Sequence, residues 1–484
     1  MKFNKQKLFL LILFIASTIF FIYQHAAFIG WDFAAYVLNA KYLFSHGFYY
    51  EWFRAPLMPL LVGAFSYITF GNYLAAEFLY IIVASGLFFW STLLLAKRLK
   101  INPLIFYALL LSPFLLVMGL IEGTELLTLA LIMFSLYFVF SEKKYASIWA
   151  GLLLGVAAIA RFGIYLLIFL FGFEKKAKRI ATSFGCFLIP SFFWAMFTLI
   201  KKHSVMISFA DNYGLNSYFR DYIMQPIKLS HILLSFNYYY IVFFALGIFF
   251  LIKELKSKKK IFDRNKKDLF LASLLMVVFF ALGLYTYASS HIKVERYTFF
   301  LVLPIAFFST FFFENIKKKK VLTIALIVLV LVNFTAAILV FHATPPRSEF
   351  KKIADSIPKD CMAASDEWVY LNYFGLTTAP ITGDQEQVFK DIQQGKRFVI
   401  FFGSEPLYLK NETFLNKLPI IQDKGTYWLV GNSSVCMEPY VYDKPYLQDL
   451  RERNVTRLTN CQVMMPKQFE FWCQGRKTEQ KYAS

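Results

Sequence analysis

Long apolar runs, separated by short polar segments, fill the first 342 residues of the chain and restrict its fold more than any other feature. One helical crossing of a bilayer core takes about 20 apolar residues, and fewer where neighbouring helices shelter its ends. We therefore predict a mainly α, polytopic transmembrane domain of about eleven helices. The predicted spans lie near residues 7–29, 73–96, 102–119, 124–140, 146–160, 162–173, 180–200, 232–252, 268–288, 297–313 and 320–342.

The composition agrees with this prediction. Hydrophobic residues make up 58% of the chain and aromatic residues 20%, and the mean hydropathy is +0.51. The first apolar run is longer than the apolar core of a secretory signal, which is about 7–15 residues, and no clear small-residue cleavage site follows it. We interpret this run as the first span of an integral, multi-pass membrane protein.

The net charge of +20 comes largely from short basic clusters between the apolar runs. Such clusters mark the cytoplasmic loops of membrane proteins. With a cytoplasmic N-terminus, the clusters all fall on the cytoplasmic side, and an odd number of spans leaves the chain after about residue 341 on the other side. Because no basic patch lies in a polar domain, we exclude nucleic acid as a partner. The main clusters are Lys97–Lys100, Glu174–Arg179, Lys258–Lys260 and Lys317–Lys320.

After Pro345 and Pro346 the chain becomes a mixture of polar residues and short apolar runs. Strand-like runs alternate with helix-like segments there, which predicts a small α/β domain. We divide the chain into a transmembrane domain, residues 1–342, and an extracytoplasmic α/β domain, residues 343–484. The membrane is either the plasma membrane or the endoplasmic reticulum. The strand-like runs are 397–402 and 426–430, and the helix-like segments are 348–357 and 386–394.

Cysteines and glycosylation sequons also place this domain outside the cytoplasm. An even number of cysteines in an exported domain predicts two disulfides, and sequence spacing does not separate the three connectivities that four cysteines allow. The Asn-x-Ser/Thr sequons at Asn411, Asn432 and Asn454 fit the same side of the membrane. The cysteines of the domain are Cys361, Cys436, Cys461 and Cys473.

The first extracytoplasmic loop, residues 30–72, carries the leading candidate for a catalytic group. Asp32 lies at the outer end of the first span, where an acid facing lipid would be costly, so we expect it to face a polar cavity. Apolar and aromatic residues recur at helical spacing in 36–43 and 47–60, which predicts two amphipathic helices along the interface. The alternative is that both helices only pack and that Asp32 is a solvated helix cap.

Together with two later segments, this loop resembles the GT-C superfamily of membrane glycosyltransferases, which includes protein O-mannosyltransferases and aminoarabinose transferases. The resemblance covers most of residues 1–342. Ala55 departs from the pattern, because many members have a second proline there, and an Asp-x-Asp pair is absent from the sequence. The matching segments are Trp31-Asp32, Arg54 to Pro59, Gly119 to Leu126, and Ser289 to Tyr297 followed by Pro304.

The resemblance implies a sugar donor on a polyprenyl or dolichyl phosphate and an acceptor hydroxyl on a glycan, a protein or a lipid. Membrane lipid is therefore a further partner. Inverting transfer needs a carboxylate that takes the hydroxyl proton as the new C–O bond forms, and by resemblance this general base is Asp32. The departing phosphate needs fixed cations in a poorly hydrated pocket. The candidate cations are Arg296, Lys293, His291, Arg54 and Arg161.

Acidic and phenolic side chains near these cations are candidates for binding the sugar or the acceptor. No cofactor is predicted with certainty. A divalent metal stays open, with Asp32 and Glu122 as its candidate ligands. The candidates for sugar or acceptor binding are Glu51, Glu122, Glu125, Glu295 and Tyr297.

Simpler roles compete with several of these assignments. Glu295 could neutralise its neighbour Arg296, Glu125 could cap the helix that follows it, and Arg161 could only mark a loop. His203 and His231 could be inert in the outer loop at about 201–231, although that loop could also cover the acceptor.

Two other classes of function compete with a glycosyltransferase. A transporter or flippase for a lipid-linked sugar would need charges near mid-membrane and a symmetric helix plan, whereas the candidate residues here lie at one interface. A non-catalytic scaffold would present the exported domain and would tolerate the loss of Asp32. Phosphate-loop, nucleophile-elbow and Cys-x-x-Cys motifs are absent from the sequence, which argues against a soluble catalytic centre.

Overall fold

The structure is a computed structural model, and it is mainly helical, with a small sheet near the C-terminus. His291, Asn411, Asn454, Cys461 and Cys473 lie outside the residues that it describes. The described residues are 5–174, 176–205, 207–208, 212, 226–256, 266–290, 293–341, 347–381, 385–401, 417–425, 427–432 and 434–440.

The helices of the membrane domain follow the apolar runs of the sequence. They are α1 (Lys5–Ala27), α2 (Trp31–Ser45), α3 (Leu57–Ile68), α4 (Tyr73–Leu99), α5 (Pro103–Leu110), α6 (Pro113–Ile121), α7 (Glu125–Val139), α8 (Ala146–Ala160), a 3-10 helix (Phe162–Phe173), α9 (Ala177–Lys202), α10 (Leu229–Ser235), α11 (Tyr240–Lys256), α12 (Lys266–Ser289), a second 3-10 helix (Glu295–Leu301), α13 (Val302–Glu314) and α14 (Lys319–Phe341).

Each of the predicted spans is helical, but the spans differ in length. Within the described residues, six helices are long and apolar enough to cross a membrane, and eight are if each of two bent helix pairs counts as one span. The segments α7, α8 and the first 3-10 helix are shorter, at 15, 15 and 12 residues. Nearly all of α7 is buried among other helices, so its ends are sheltered as a short span requires. The chain is an integral, multi-pass membrane protein.

Two of the predicted spans are sharply bent, and the bends contact each other. The α5–α6 pair bends by 66° at Ser112 and Pro113, and the α10–α11 pair bends by 68°. Pro113 cannot continue the hydrogen-bond ladder of α5, and the Ser112 hydroxyl accepts instead from the N–H of Leu115, 3.3 Å away. Asn237, in the second bend, accepts the N–H of Phe114 at 2.9 Å. This bond satisfies one free N–H at the start of α6.

The first loop forms two helices, but not where both were predicted. The first one, α2, contains residues 36–43 as expected, although most of its side chains are buried. The prediction of a helix over 47–60 is wrong for its first part, because α3 begins only at Leu57. Pro56 and Pro59 explain the late start, since proline restricts the residue before it and is tolerated only in the first helical turn. Residues 47–56 therefore form an irregular segment, which contacts α2 through the hydrogen bonds between Asn39 and Glu51.

The C-terminal part is an α/β domain, as predicted. Its sheet has the strand order β2-β1-β3-β5-β4, with β1 parallel to β2 and β3, and β5 antiparallel to β3 and β4. Cys361 and Cys436 form a disulfide. The elements are α15 (Arg347–Asp355), β1 (Ala363–Ser365), α16 (Trp368–Tyr373), β2 (Thr378–Pro380), α17 (Gln385–Gln393), β3 (Arg397–Phe401), β4 (Ile420–Asp423) and β5 (Tyr427–Val430).

The short helix α16 docks this domain onto the membrane helices. Val369, Tyr370 and Tyr373 belong to the same apolar core as α1, α2 and α4. At one end of α16, the hydroxyl of Tyr373 donates to the buried carboxylate of Glu77, at 2.7 Å from Oε2. Arg347 donates to the backbone oxygen of His25 at 3.0 Å. The domain and the start of α2 therefore lie at the same end of the helical bundle.

Candidate active site

A close approach of two backbones places Asp32. The N–H of Gly30 donates to the backbone oxygen of Ile121 at 3.1 Å, and a side chain at position 30 would meet that oxygen at 2.2 Å. Only glycine fits this contact, which brings the first turn of α2 against the end of α6. The N–H of Asp32 then donates to Glu122 Oε2 at 2.8 Å. Asp32 and Glu122 are therefore neighbours.

The carboxylate of Asp32 lies between two guanidinium groups. Oδ1 accepts from Arg54 Nη1 at 2.6 Å, and Oδ2 accepts from Arg296 Nη1. Arg296 also lies 3.6 Å from Glu122 Oε2. Asp32, Glu122 and Arg296 are each partly exposed, so a ligand has access to all three, whereas Arg54 is buried. Each arginine shares its charge with a carboxylate and could exchange that partner for a phosphate oxygen.

Burial and the charges of the cluster shift the two acids in opposite directions. Burial raises the pKa of Asp32, but Arg296 and Arg54 outweigh this effect and hold the pKa well below its usual range. Burial, followed by the negative charge of Asp32, raises the pKa of Glu122 to about 7, although Arg296 opposes the shift. Asp32 is therefore charged at neutral pH. The raised pKa of Glu122 favours its protonated form up to a pH of about 7.

Arg54 is held from its other side by Glu51. The buried Glu51 carboxylate accepts from Arg54 Nε through Oε2 and from the hydroxyl of Tyr49 through Oε1. The side chain of Asn39 fixes the backbone of Glu51 in both directions, at 2.9 and 3.0 Å. The indole N–H of Trp368, in α16, donates to the Tyr49 oxygen at 2.9 Å. Glu51 therefore contacts Arg54 at Nε, whereas Asp32 contacts the same side chain at Nη1.

A second arginine–acid pair borders the cluster. Arg161 pairs with the buried Glu125, whose Oε2 also accepts the N–H of Thr124 at 3.2 Å. The Tyr297 ring lies 5.9 Å from the guanidinium carbon of Arg161 and 5.6 Å from that of Arg296. Tyr297 therefore joins the two arginines through cation–π contacts. Glu125 therefore combines an ion pair with a contact at the start of α7, where a negative charge is favourable, and its predicted role in sugar or acceptor binding stays a prediction.

Other predicted residues lie outside this cluster or outside the described chain. Lys293 is buried, and its ammonium group donates to the backbone oxygens of Tyr287, Ala288 and Ser290, at the end of α12. Glu295 Oε1 lies 4.0 Å from His231 Nε2. The predicted phosphate ligand His291 falls outside the described residues, and His203 ends α9 in a left-handed conformation.

The sequence prediction did not identify the residues of the C-terminal domain that lie at this site. Trp31, beside Asp32, packs edge-on against Trp368 and Tyr370, with ring centroids 4.8 and 5.3 Å apart. The pKa of Tyr370 is raised by burial and by the charges of Glu122, Glu367 and Asp32. Burial, with the charge of Asp366, also raises the pKa of Glu367 to about 7. No local motif marks these residues, because only docking of the domain brings them to α2.

The arrangement does not fit a divalent cation on Asp32 and Glu122. Both oxygens of Asp32 already accept from guanidinium groups, and Glu122 Oε2 accepts a backbone N–H. A hard divalent cation needs several free oxygen ligands, and here it would lie beside the positive charges of Arg54 and Arg296.

No known sequence family and no curated protein sequence matches the chain, so the comparisons rest on structure. Two crystal structures of ArnT from Cupriavidus metallidurans are similar. The one with undecaprenyl phosphate bound has a TM-score of 0.60 and 12% identity, covering 89% of this chain and 99% of ArnT. The one in the apo state has a TM-score of 0.57 and 11% identity, covering 87% and 97%.

The cryo-EM structure of the arabinofuranosyltransferase AftD from Mycobacteria is also similar, with a TM-score of 0.50 and 12% identity. That comparison covers 81% of this chain and 35% of AftD. ArnT and AftD both have the architecture of the superfamily that the loop motifs resemble. The chain therefore has the GT-C fold of membrane glycosyltransferases, as its sequence predicted.

Proposed function

We propose that this protein is a glycosyltransferase that moves a sugar from a polyprenyl-phosphate donor to an acceptor hydroxyl on the extracytoplasmic face of the membrane. One observation carries the proposal: Asp32, Arg54 and Arg296 form a single ion-pair cluster at the end of the helical bundle where the C-terminal domain docks. It combines a carboxylate with the two cations that a lipid phosphate needs, next to the bilayer that would hold the lipid tail. The GT-C fold supports the same activity, and ArnT binds undecaprenyl phosphate in one of its structures.

The same contacts suggest an order of events. In the ligand-free cluster Asp32 is a weak base, because two arginines stabilise its charged form. When the donor phosphate arrives, its oxygens first compete for the partly exposed Arg296, and movement of Asp32 then opens Nη1 of the buried Arg54 to them. An oxygen of Asp32 is then released to accept a proton. Donor binding would in this way prepare the base for the acceptor.

In the transfer step, the acceptor oxygen attacks the anomeric carbon of the donor and loses its proton to Asp32. The bond between that carbon and the phosphate oxygen breaks with inversion, and the polyprenyl phosphate leaves with the bonding electrons. Arg296 and Arg54 stabilise the charge that collects on this phosphate. Glu122, beside Asp32, would bind a hydroxyl of the sugar or of the acceptor. Dolichyl-phosphate mannose is the first donor to test, since protein O-mannosyltransferases belong to the superfamily that the motifs resemble.

The experiment is sugar transfer in proteoliposomes, with a panel of labelled polyprenyl- and dolichyl-phosphate sugars and with glycan, peptide and lipid acceptors. The wild type should transfer one sugar class, and Asp32→Asn should lose about 10²–10⁴-fold in rate while it is still expressed and folded. Full activity of Asp32→Asn would exclude Asp32 as the base. Translocation of labelled lipid between leaflets, without transfer, would instead support the flippase alternative.

A further inference from the structure

The C-terminal domain reaches the catalytic acid through a continuous row of hydrogen bonds. The row runs from Trp368 to Tyr49, Glu51, Arg54 and finally Asp32. We propose that Trp368 is a positioning residue that holds Arg54 in the orientation needed for the donor phosphate. This inference rests on the proposed function, because it assumes that Arg54 binds the donor.

The chemistry of the side chains gives the row a single direction. The indole of Trp368 can only donate, so the Tyr49 oxygen accepts its proton at 2.9 Å. The Tyr49 hydroxyl then donates its own proton to Glu51, which as a carboxylate only accepts. Arg54 only donates, to Glu51 on one side and to Asp32 on the other. Because every link has one allowed direction, loss of the indole N–H removes a donor that holds the Tyr49 hydroxyl toward Glu51, and Glu51 in turn orients Arg54.

Burial makes these links energetically important. The side chains of Glu51 and Arg54 are only 2% and 7% exposed, so water cannot replace a lost partner. An unsatisfied buried charge costs several kcal/mol, which is why the partners of a buried pair fix each other's position. Hydrogen bonds in such a network also polarise one another. Glu51 therefore orients Arg54 through Nε, while the Nη1 atom of Arg54 donates to Asp32.

The indole of Trp368 is itself held in place by the docked domain. Its ring packs edge-on against Trp31, one residue before Asp32. At the other end of α16, Lys41 donates to the backbone oxygen of Tyr373 at 3.1 Å, and the Tyr373 hydroxyl binds Glu77. The helix is thus fixed at both ends. The row of hydrogen bonds that leads to Asp32 begins at its Trp368 end. This asymmetry supplies a matched control on the same helix.

The test compares two variants of α16. Trp368→Phe keeps an aromatic ring but removes the indole N–H, and Tyr373→Phe removes the hydroxyl that binds Glu77. Binding of undecaprenyl phosphate and the KM for the lipid-phosphate donor are measured in the full-length protein. Trp368→Phe should weaken binding and raise the donor KM by about 3–10-fold, and Tyr49→Phe by about 10–100-fold. Tyr373→Phe should leave both values unchanged.

A double variant separates positioning from a general loss of structure. Because Trp368 acts through Tyr49, Trp368→Phe combined with Tyr49→Phe should bind no more weakly than Tyr49→Phe alone. Additive losses, or an equal loss in Tyr373→Phe, would overturn the inference. The same holds if Trp368→Phe binds undecaprenyl phosphate like the wild type. If the wild type itself binds no polyprenyl phosphate, the proposed function fails and this inference fails with it.

Discussion

The N–H of Asp32 donates to Glu122 Oε2 over 2.8 Å and joins the first turn of α2 to the end of α6. These two acids are 90 positions apart in the chain. Their contact depends on Gly30, whose backbone lies against that of Ile121. The site is thus assembled by a backbone approach that one methyl group would block.

Gly30→Ala should therefore damage the site. The new Cβ would lie 2.2 Å from the Ile121 oxygen and 2.7 Å from Glu122 Oε2, so α2 has to move away from α6. We expect a loss of transfer of at least about tenfold, since small displacements of catalytic groups are costly. Gly86→Ala in α4 is the matched control, because nothing lies within 4 Å of a Cβ there. Equal activity of both variants in the liposome assay would contradict the close-packing account.

Glu122 should make stability depend on pH. Its pKa rises from 4.5 to about 7 in the folded protein, so folding favours the protonated form. This contribution is complete below pH 4.5 and is lost as the pH rises through about 7. The melting temperature in detergent should fall between pH 5 and pH 8, and Glu122→Gln should reduce that fall by about 2–4 °C.

The exposed Glu349→Gln is the control for this experiment and should leave the pH dependence as in the wild type. Glu367→Gln is expected to act in the same direction as Glu122→Gln, since the pKa of Glu367 is also raised to about 7. If Glu122→Gln keeps the pH dependence of the wild type, the Glu122 carboxylate is not protonated in the folded protein.

The contact between Arg347 and Glu77 should hold the C-terminal domain on the membrane helices. Arg347 Nη2 lies 3.5 Å from the carboxylate of Glu77, which is only 1% exposed. Removing the cation leaves a buried charge with fewer partners, at a cost of about 3–5 kcal/mol. Arg347→Ala should therefore lower the melting temperature clearly, whereas Lys351→Ala, exposed on the same helix, should not. If Arg347→Ala and Lys351→Ala have equal melting temperatures, the contact between Arg347 and Glu77 does not hold the domain in place.

The predicted sidedness can be tested by cysteine labelling in intact cells, in a background that lacks Cys186, Cys461 and Cys473. Phe48, in the first loop, is 45% exposed, and Lys318 lies in a basic cluster at the start of α14. A membrane-impermeant maleimide should label Phe48→Cys directly and Lys318→Cys only after permeabilisation. The reverse pattern would invert the topology and move the site to the cytoplasmic face.

Much of this architecture was predictable because hydropathy acts locally. A run of apolar residues such as Lys319–Phe341 must be helical in lipid, whatever its neighbours are, since every backbone group has to be satisfied within the segment. The short strand-like runs at 397–402 and 426–430 predicted strands for a similar local reason. Proline, by contrast, delayed α3 until Leu57, where apolar spacing alone had suggested an earlier start.

Sequence by itself determined the helical membrane domain and the C-terminal α/β domain, and it identified the acids and arginines that are the candidates for a site. The tertiary structure alone decided their partners. Asp32 meets Arg296 across 264 positions, and Tyr49 meets Trp368 across 319. Such pairings depend on how helices pack and on which buried charge finds which counter-charge, and neither is encoded in a local pattern. For the same reason the C-terminal domain, which looked separate in the sequence, contributes directly to the surroundings of Asp32.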